Sequence, residues 1–383
     1  MQGIYNALRF PQLTTSRLRS AIEDLGQSCQ NYDHDEPWRQ TRHIFARWSS
    51  NPSLFNTPQS ILAELDKIRA VKGWEASMED EIRDVIHEVF LDGGKGFHEF
   101  SLYGGNMEEQ DVRSIQTVRQ GASLVPSLSV IPPLSAEEAF RASFIKKTAQ
   151  PVLLHKYLSR VPRGQSVARL DVPTGIISDP TAIAFTQLMA NLCGGPFFDT
   201  LRTREQLGYV VGSNSRAVRT QNYIYFVVQT EKLNGTDLLE RIDTWIQDWI
   251  VTGLGEKDEY VEIDGETNTT VPLADHFNKT KDAVLKELQS KHPSMETKTE
   301  EQETLLLWHR ENLSIREQTL VALRNMTREN FRTTIKSYFG NKADWRAVVL
   351  DGSEGVDTVT DASLDGWSVT TEDSLDAEDG VEI

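Results

Sequence analysis

The sequence predicts an α+β protein, a sheet with helices packed on it. Two observations lead there. The opening 95 or so residues carry mostly helical periodicity, whereas β-rich runs and amphipathic segments follow from about residue 150. Those later segments come in the order β-β-α-β-β-α-α-α-α-β, which suits one sheet covered by helices.

Taken in order, Leu18, Ile22 and Leu25 recur at four- and three-residue steps, giving a helix over Thr15–Gln27 one apolar face. The same pattern predicts helices over Pro37–Trp48 and over Pro58–Val71, where Ile61, Leu62, Leu65 and Ile68 share a side. A fourth helix covers Glu79–Leu91 and stops at Gly93-Gly94. A short strand, Glu99–Tyr103, and a Gly104-Gly105 turn come next. Asn106, with Glu109 three residues on, resembles a capping box and starts a helix to about Arg119. The Pro- and Ser-rich stretch Leu124–Ser135 reads as a linker.

Beyond it, Val152–Leu158 and Ser166–Val172 are predicted strands. Asp179 and Pro180 supply an N-cap and a first-turn proline for a helix over Thr181–Leu192. Leu207–Gly212 and Tyr223–Gln229, rich in Tyr, Val, Ile and Phe, are two more strands. Asp237–Val251 is a helix with Leu238, Ile242, Trp245 and Trp249 on one side. The acidic stretch Gly255–Thr270 is expected to be a surface loop. Three helices follow, the last over Arg328–Phe339 with Phe331, Ile335, Tyr338 and Phe339 inward and Gly340 ending it. Trp345–Leu350 is the final strand.

Length and charge refine this. A chain of 383 residues suits about two domains. Helices with one apolar face must bury it, and the single strand before residue 140 gives them no sheet and has open edges. Residues 1–140 are therefore expected to be the rear part of a domain whose leading strands are absent, and 141–350 a complete α+β domain. The formal charge is −17, of which 11 acidic residues and no Lys or Arg lie in 351–383. That stretch is expected to be a disordered tail, and the acidic balance argues against nucleic acid as a ligand. Two cysteines make no disulfide framework and suit a reducing compartment. No basic leader and no 18-residue apolar run occur, so a cytoplasmic protein without membrane contact is expected.

The most informative stretch runs Gly194-Gly-Pro-Phe-Phe-Asp-Thr-Leu-Arg-Thr-Arg-Glu-Gln-Leu-Gly-Tyr-Val-Val-Gly-Ser213. It predicts a short helix from Phe197 to about Glu205 that breaks near Gly208 into a strand. Phe198 and Leu201 seat the helix while Arg202 projects elsewhere. Gly208 permits a close backbone bend, so Arg202 and Tyr209 converge at the corner. A guanidinium and a phenol there are apt donors to a peptide carbonyl, although this pair alone also fits a surface contact and a core-edge ring.

Residues 201–209 resemble, nearly residue for residue, the Leu-Arg-Thr-x-Glu-Gln-Leu-Gly-Tyr segment in the last domain of insulysin-like members of the pitrilysin metallopeptidase family. His98-Glu-Phe-Ser-Leu-Tyr-Gly-Gly-Asn106 and Gln229-Thr-Glu-Lys232 resemble flanking family segments in the right order. The resemblance runs from about Tyr5 to Leu350 and is dense only around 190–232. It implies part of a third domain plus the whole fourth domain of a four-domain enzyme whose halves clamp around a closed chamber. It also implies that Arg202 and Tyr209 bind the substrate backbone and help polarise the scissile carbonyl.

In that family, zinc sits on an inverted His-x-x-Glu-His motif in the first domain. Neither that motif nor His-Glu-x-x-His occurs among the eight histidines here, and there is no Glu-His dipeptide; His87-Glu88 and His98-Glu99 each lack a second histidine at the needed spacing. No metal ligand or catalytic residue is therefore assigned, and zinc is expected in a missing N-terminal half. The expected partners are peptide substrates and a zinc-bearing N-terminal half or homologous subunit. Two further readings stay open: a stand-alone peptide-binding subunit, and a purely structural or regulatory one, for which a retained Arg202–Tyr209 pair has no use.

Overall fold

The computed structural model describes residues 14–32, 36–48, 58–86, 150–158, 164–218, 221–264, 267–290, 312, 314–352 and 364–370. The predicted strand at 99–103, the helix from Asn106 and the linker lie outside these. The described chain opens with four helices: α1 (Thr15–Tyr32), α2 (Pro37–Trp48), α3 (Pro58–Ala70) and α4 (Trp74–Ile86). The chain divides into two compact units. Helices α1, α3 and α4 belong to the first unit, but α2 belongs to the second. In the first, α1 packs on both α3 and α4. Leu18, Ile22, Cys29 and Leu65 are buried, whereas Leu25, expected on the same face, is exposed. Arg19 pairs with Glu75 at 2.6 Å.

The second unit is built on a six-stranded sheet. Its strands are β1 (Val152–Leu158), β2 (Ser166–Ile176), β3 (Val210–Val218), β4 (Gln221–Thr230), β7 (Arg346–Gly352) and β8 (Ser368–Thr370), in the spatial order β3-β4-β2-β7-β1-β8. The pairs β3–β4, β4–β2 and β2–β7 are antiparallel; β7–β1 and β1–β8 are parallel. Side chains alternate across the sheet. Leu153, Ala168, Leu170, Ile224, Phe226, Ala347 and Val349 face a large core beneath the helices. Those helices are α5 (Pro180–Phe198), α6 (Gly235–Trp245), α7 (Leu273–Gln289), α8 (Ile315–Asn325) and α9 (Arg328–Phe339). Leu154, Tyr223, Val348 and Leu350 point the other way and meet Ile44 and Phe45 of α2.

That second face is unusually polar for a buried one. Arg169 and Arg216 both pair with Asp171, at 2.7 and 3.1 Å, and both guanidiniums lie over the fully buried Phe45 ring. Apolar and cationic groups share the cover that α2 supplies, which explains why this helix leaves the first unit.

On the other face, Asp351 ties four elements together. Its Oδ1 accepts from Ser166 Oγ and from the Gly235 N–H at 2.9 Å, and its Oδ2 lies 2.6 Å from His155 Nε2. Gly235 opens α6 so close to β7 that a Cβ would stand 2.1 Å from Val349 Cγ1. A carboxylate at the start of a helix, fed by an orphan N–H, is favourable in itself.

Three expectations are corrected. The stretch Gly255–Thr270 is no plain loop: Glu259–Asp264 and Thr267–Pro272 form an antiparallel hairpin, β5–β6. Tyr260, Val261 and Ile263 supply the β character that its acidity obscured. Residues 351–383 are not wholly a tail, because Asp351 and Gly352 complete β7 and β8 pairs with β1, with Leu364 buried and Trp367 against the core. Finally, the helix predicted over Thr181–Leu192 does not stop there: α5 runs unbroken through Gly194-Gly195 to Phe198, since Cys193, Phe197 and Leu201 continue one buried stripe. Burial of that stripe outweighs roughly 1 kcal/mol of lost helix propensity per glycine.

Candidate functional site

The site grows from the end of α5. Asp179 caps the start of this helix, accepting the Thr181 N–H at 2.8 Å. At its far end Phe197 is wedged edge-on against Phe226 and Trp245, at 5.2 and 4.9 Å between ring centres. The chain then widens into a π-helical turn over Asp199–Arg204, a geometry often found where a helix must re-aim its side chains. Leu201 stays buried and Arg202 turns outward.

The corner that follows is tightly held. Gln206 adopts a left-handed backbone, φ 52°, which is uncommon for a side-chain-bearing residue. The Leu207 N–H donates to Leu201 C=O at 2.9 Å, and Thr230 Oγ1 donates to Leu207 C=O. A Cβ on Gly208 would stand 1.7 Å from the Gln229 carbonyl oxygen, so only glycine lets the corner lie this close to β4. The Glu205 carboxylate is gripped by Arg241 of α6, with Nε–Oε2 at 2.9 Å and a second bond from Nη2.

The two residues singled out by the sequence meet here. Arg202 Nη1 donates to Gly208 C=O at 2.6 Å, and the guanidinium lies 4.6 Å from the centre of the Tyr209 ring. Tyr209 is 88% exposed, an unusual position for so large an apolar ring. Beside them opens a pocket of about 300 Å³, lined also by Gln165, Gln229, Glu231 and Lys232. Arg202 uses one of its five donors on the chain, and the ring holds its plane by cation–π attraction. The arrangement is a rigid backbone corner with a half-fixed guanidinium and a free phenol at the mouth of a polar pocket. It can donate hydrogen bonds to a carbonyl placed over it.

Gln165 and Gln229 escaped the sequence reading as site residues. Gln229 lies within the Gln229-Thr-Glu-Lys232 segment, which is its signal in the sequence; Gln165 is delivered by strand register, Val167 opposite Gln229, and carries no local signal. No group of three His, Cys, Asp or Glu side chains among the described residues is placed to hold a metal ion.

The site segment matches a known family. Residues 188–258 fit the model described as PQQ synthase PqqF-like, C-terminal lobe domain 4. The Schizosaccharomyces pombe protein mug138, named as a zinc protease, is 26% identical over 292 residues, 75% of this chain and 25% of its own. The Drosophila melanogaster insulin-degrading enzyme is 35% identical over 85 residues, 22% of this chain and 8% of its own. The crystal structure of pitrilysin superposes with a TM-score of 0.66 at 15% identity, covering 97% of this chain and 35% of pitrilysin. The chain is similar, in this segment and in fold, to the C-terminal half of the pitrilysin-type metallopeptidases. It spans about a quarter of the length of its yeast relative and a smaller share of the fly enzyme. The pitrilysin likeness bears on the fold, and the α+β architecture expected from the sequence is the one observed. No helix among the described residues is long and apolar enough to cross a membrane.

Proposed function

We propose that this chain is the substrate-binding, chamber-closing C-terminal half of an insulysin-like zinc metalloendopeptidase that degrades or processes peptides. The observation that carries the reading is the convergence of Arg202 and Tyr209 at the pocket mouth, on a corner that Gly208 and Thr230 hold rigid. Preorganised donors of this kind act without reorganisation when a carbonyl gains negative charge, and removing one typically costs a few kcal/mol of barrier. In this reading Arg202 and Tyr209 hold the substrate carbonyl, and the side chains at the end of β4 line the pocket beside the peptide.

The residues present do not fit a zinc site. The sequence has no inverted His-x-x-Glu-His motif, and the described residues hold no suitable cluster. Hydrolysis is therefore assigned to a pairing with a zinc-bearing N-terminal half or homologous subunit, in the cytoplasm.

The test is cleavage of a quenched fluorogenic peptide by this chain, by a separately produced zinc-bearing half of the family, and by their mixture. Cleavage that rises only in the mixture, and falls at least about tenfold with Arg202→Ala or Tyr209→Phe, supports the reading. Peptide binding by the chain with no cleavage in any mixture would favour a stand-alone binding subunit instead.

A further inference from the structure

The amides of Gln165 and Gln229 form a relay with only one consistent polarity. Gln165 Nε2 donates to Glu231 Oε1 at 2.9 Å, and Gln229 Nε2 donates to Gln165 Oε1 at 3.4 Å. A carboxylate only accepts, so Glu231 decides which end of Gln165 faces it. Gln165 then presents its carbonyl to Gln229, and Gln229 must turn its NH2 group inward. The outcome is a bare acceptor: Gln229 Oε1 is shut off from solvent with no donor. Such an unmet acceptor is unfavourable, and a ligand donor that reaches it restores what folding leaves unmet.

The surroundings select the donor. Arg202, Lys232 and the Tyr209 hydroxyl offer donors around the same pocket, whereas Gln229 Oε1 offers an acceptor. A peptide backbone presents carbonyls and N–H groups along one strand at fixed spacing, which matches this pairing. Gln229, next to last in β4, stands directly opposite Val210, the residue after Tyr209, so donor and acceptor lie one strand apart.

We propose that Gln229 is a specificity-determining residue. Its Oε1, closed to solvent in the unliganded chain, turns toward the pocket to accept one backbone N–H of a bound peptide, beside the carbonyl held by Arg202 and Tyr209. Gln165 and Glu231 are positioning residues that fix its orientation. The pocket then discriminates against proline or an N-methylated residue at one position of the peptide. This inference rests on the peptide-binding reading above and adds to it a defined backbone requirement.

The test uses the full chain and fluorescence anisotropy. The probe is an unstructured, fluorescein-labelled peptide of about ten residues, made as a series with a single backbone N-methyl group at each position in turn. N-methylation at one position is expected to weaken binding by about threefold to tenfold, the worth of one neutral hydrogen bond. In Gln229→Leu that penalty shrinks below about twofold, while Gln229→Glu, which keeps an acceptor, retains it. Gln165→Leu, which frees the Gln229 amide to turn over, reduces the penalty too and serves if Gln229→Leu does not fold. A wild-type scan flat at every position, with binding still dependent on Arg202, overturns the inference and leaves the reading beneath it standing. A position-specific penalty that persists in Gln229→Leu also overturns it, since the residue then acts only structurally. Failure of the wild-type chain to bind any peptide of the series overturns the peptide-binding reading itself.

Discussion

Replacing Gly208 with alanine probes how the corner is held. The new Cβ would stand 1.7 Å from the Gln229 carbonyl oxygen and 2.8 Å from its carbonyl carbon. Both are backbone atoms, so no side-chain rotation relieves the clash, and β4 or the corner must move by more than about 1 Å. Overpacking of this kind costs about 1–3 kcal/mol. The movement also strains the bonds from Arg202 to Gly208 and from Thr230 to Leu207, each worth about 1 kcal/mol. A loss of about 3–4 kcal/mol is expected, a large share of the stability of an ordinary domain. The assay is urea unfolding followed by tryptophan fluorescence, for which the stacked Trp245–Trp249 pair of the α6 region, 5.1 Å apart, is a local reporter. Gly212→Ala is the control: it lies in β3, only four residues on, and its Cβ would meet nothing within 4 Å. That variant should stay within about 0.5 kcal/mol of wild type. If Gly208→Ala does the same, close approach is not what demands glycine there, and the reasoning fails.

Other predictions follow from the same geometry. Tyr209→Ala should leave the urea midpoint almost unchanged, because the ring is 88% exposed, yet weaken peptide binding; a large stability loss would show the ring to be structural. Asp351→Ala should destabilise by about 3–5 kcal/mol, since it strands Ser166, Gly235 and His155 without their acceptor, and denaturant unfolding at neutral pH would detect it. The Tyr223 hydroxyl is buried with no partner, so Tyr223→Phe should be neutral or stabilising by up to about 1 kcal/mol; a loss of that size would reveal a hidden bond. Burial pushes the Tyr223 phenol up, so the folded state keeps its proton where the unfolded chain loses it. Stability from this residue falls as pH rises past the ordinary tyrosine range, and the Phe variant's advantage should widen there. Hydrogen bonds from Arg328 and Arg332 hold the Asp258 carboxyl below its ordinary value. Its contribution is present above the unfolded carboxylate range and fades as pH falls through the folded value, so any stability gap to Asp258→Asn should close only at acid pH.

Much of this was legible because local chemistry and tertiary demand agree. The runs Val152–Leu158 and Gln221–Thr230 are β-rich and become strands; Asp179-Pro180 announces a helix start that the structure uses. The meeting of Arg202 with Tyr209 followed from a helix-strand corner and one glycine. What stayed hidden depends on distant partners. Nothing near Pro37–Trp48 reveals that Phe45 will lie beneath two arginines contributed by β2 and β3. The hairpin over 259–272 is hidden by its charge, because acidity suggests solvent while Tyr260, Val261 and Ile263 are strand-forming residue types. Gln165 became visible only when β2 and β4 fell into register.

The placement of β7 has a consequence for how this unit comes to exist. β1 and β2 are its first two strands in the chain, yet they never pair with each other; β7 slots between them. While a ribosome is still making residues 177–345, the middle of the sheet is an empty slot with a raw edge on either side, and α6 waits for the aspartate that anchors its first turn. Such late, sequence-distant closure slows folding and leaves sticky edges in the interim. Cutting the chain just before Arg346 would therefore not trim the unit's border. It would split the sheet through its centre, leaving β3, β4 and β2 as a three-stranded remnant with an open flank.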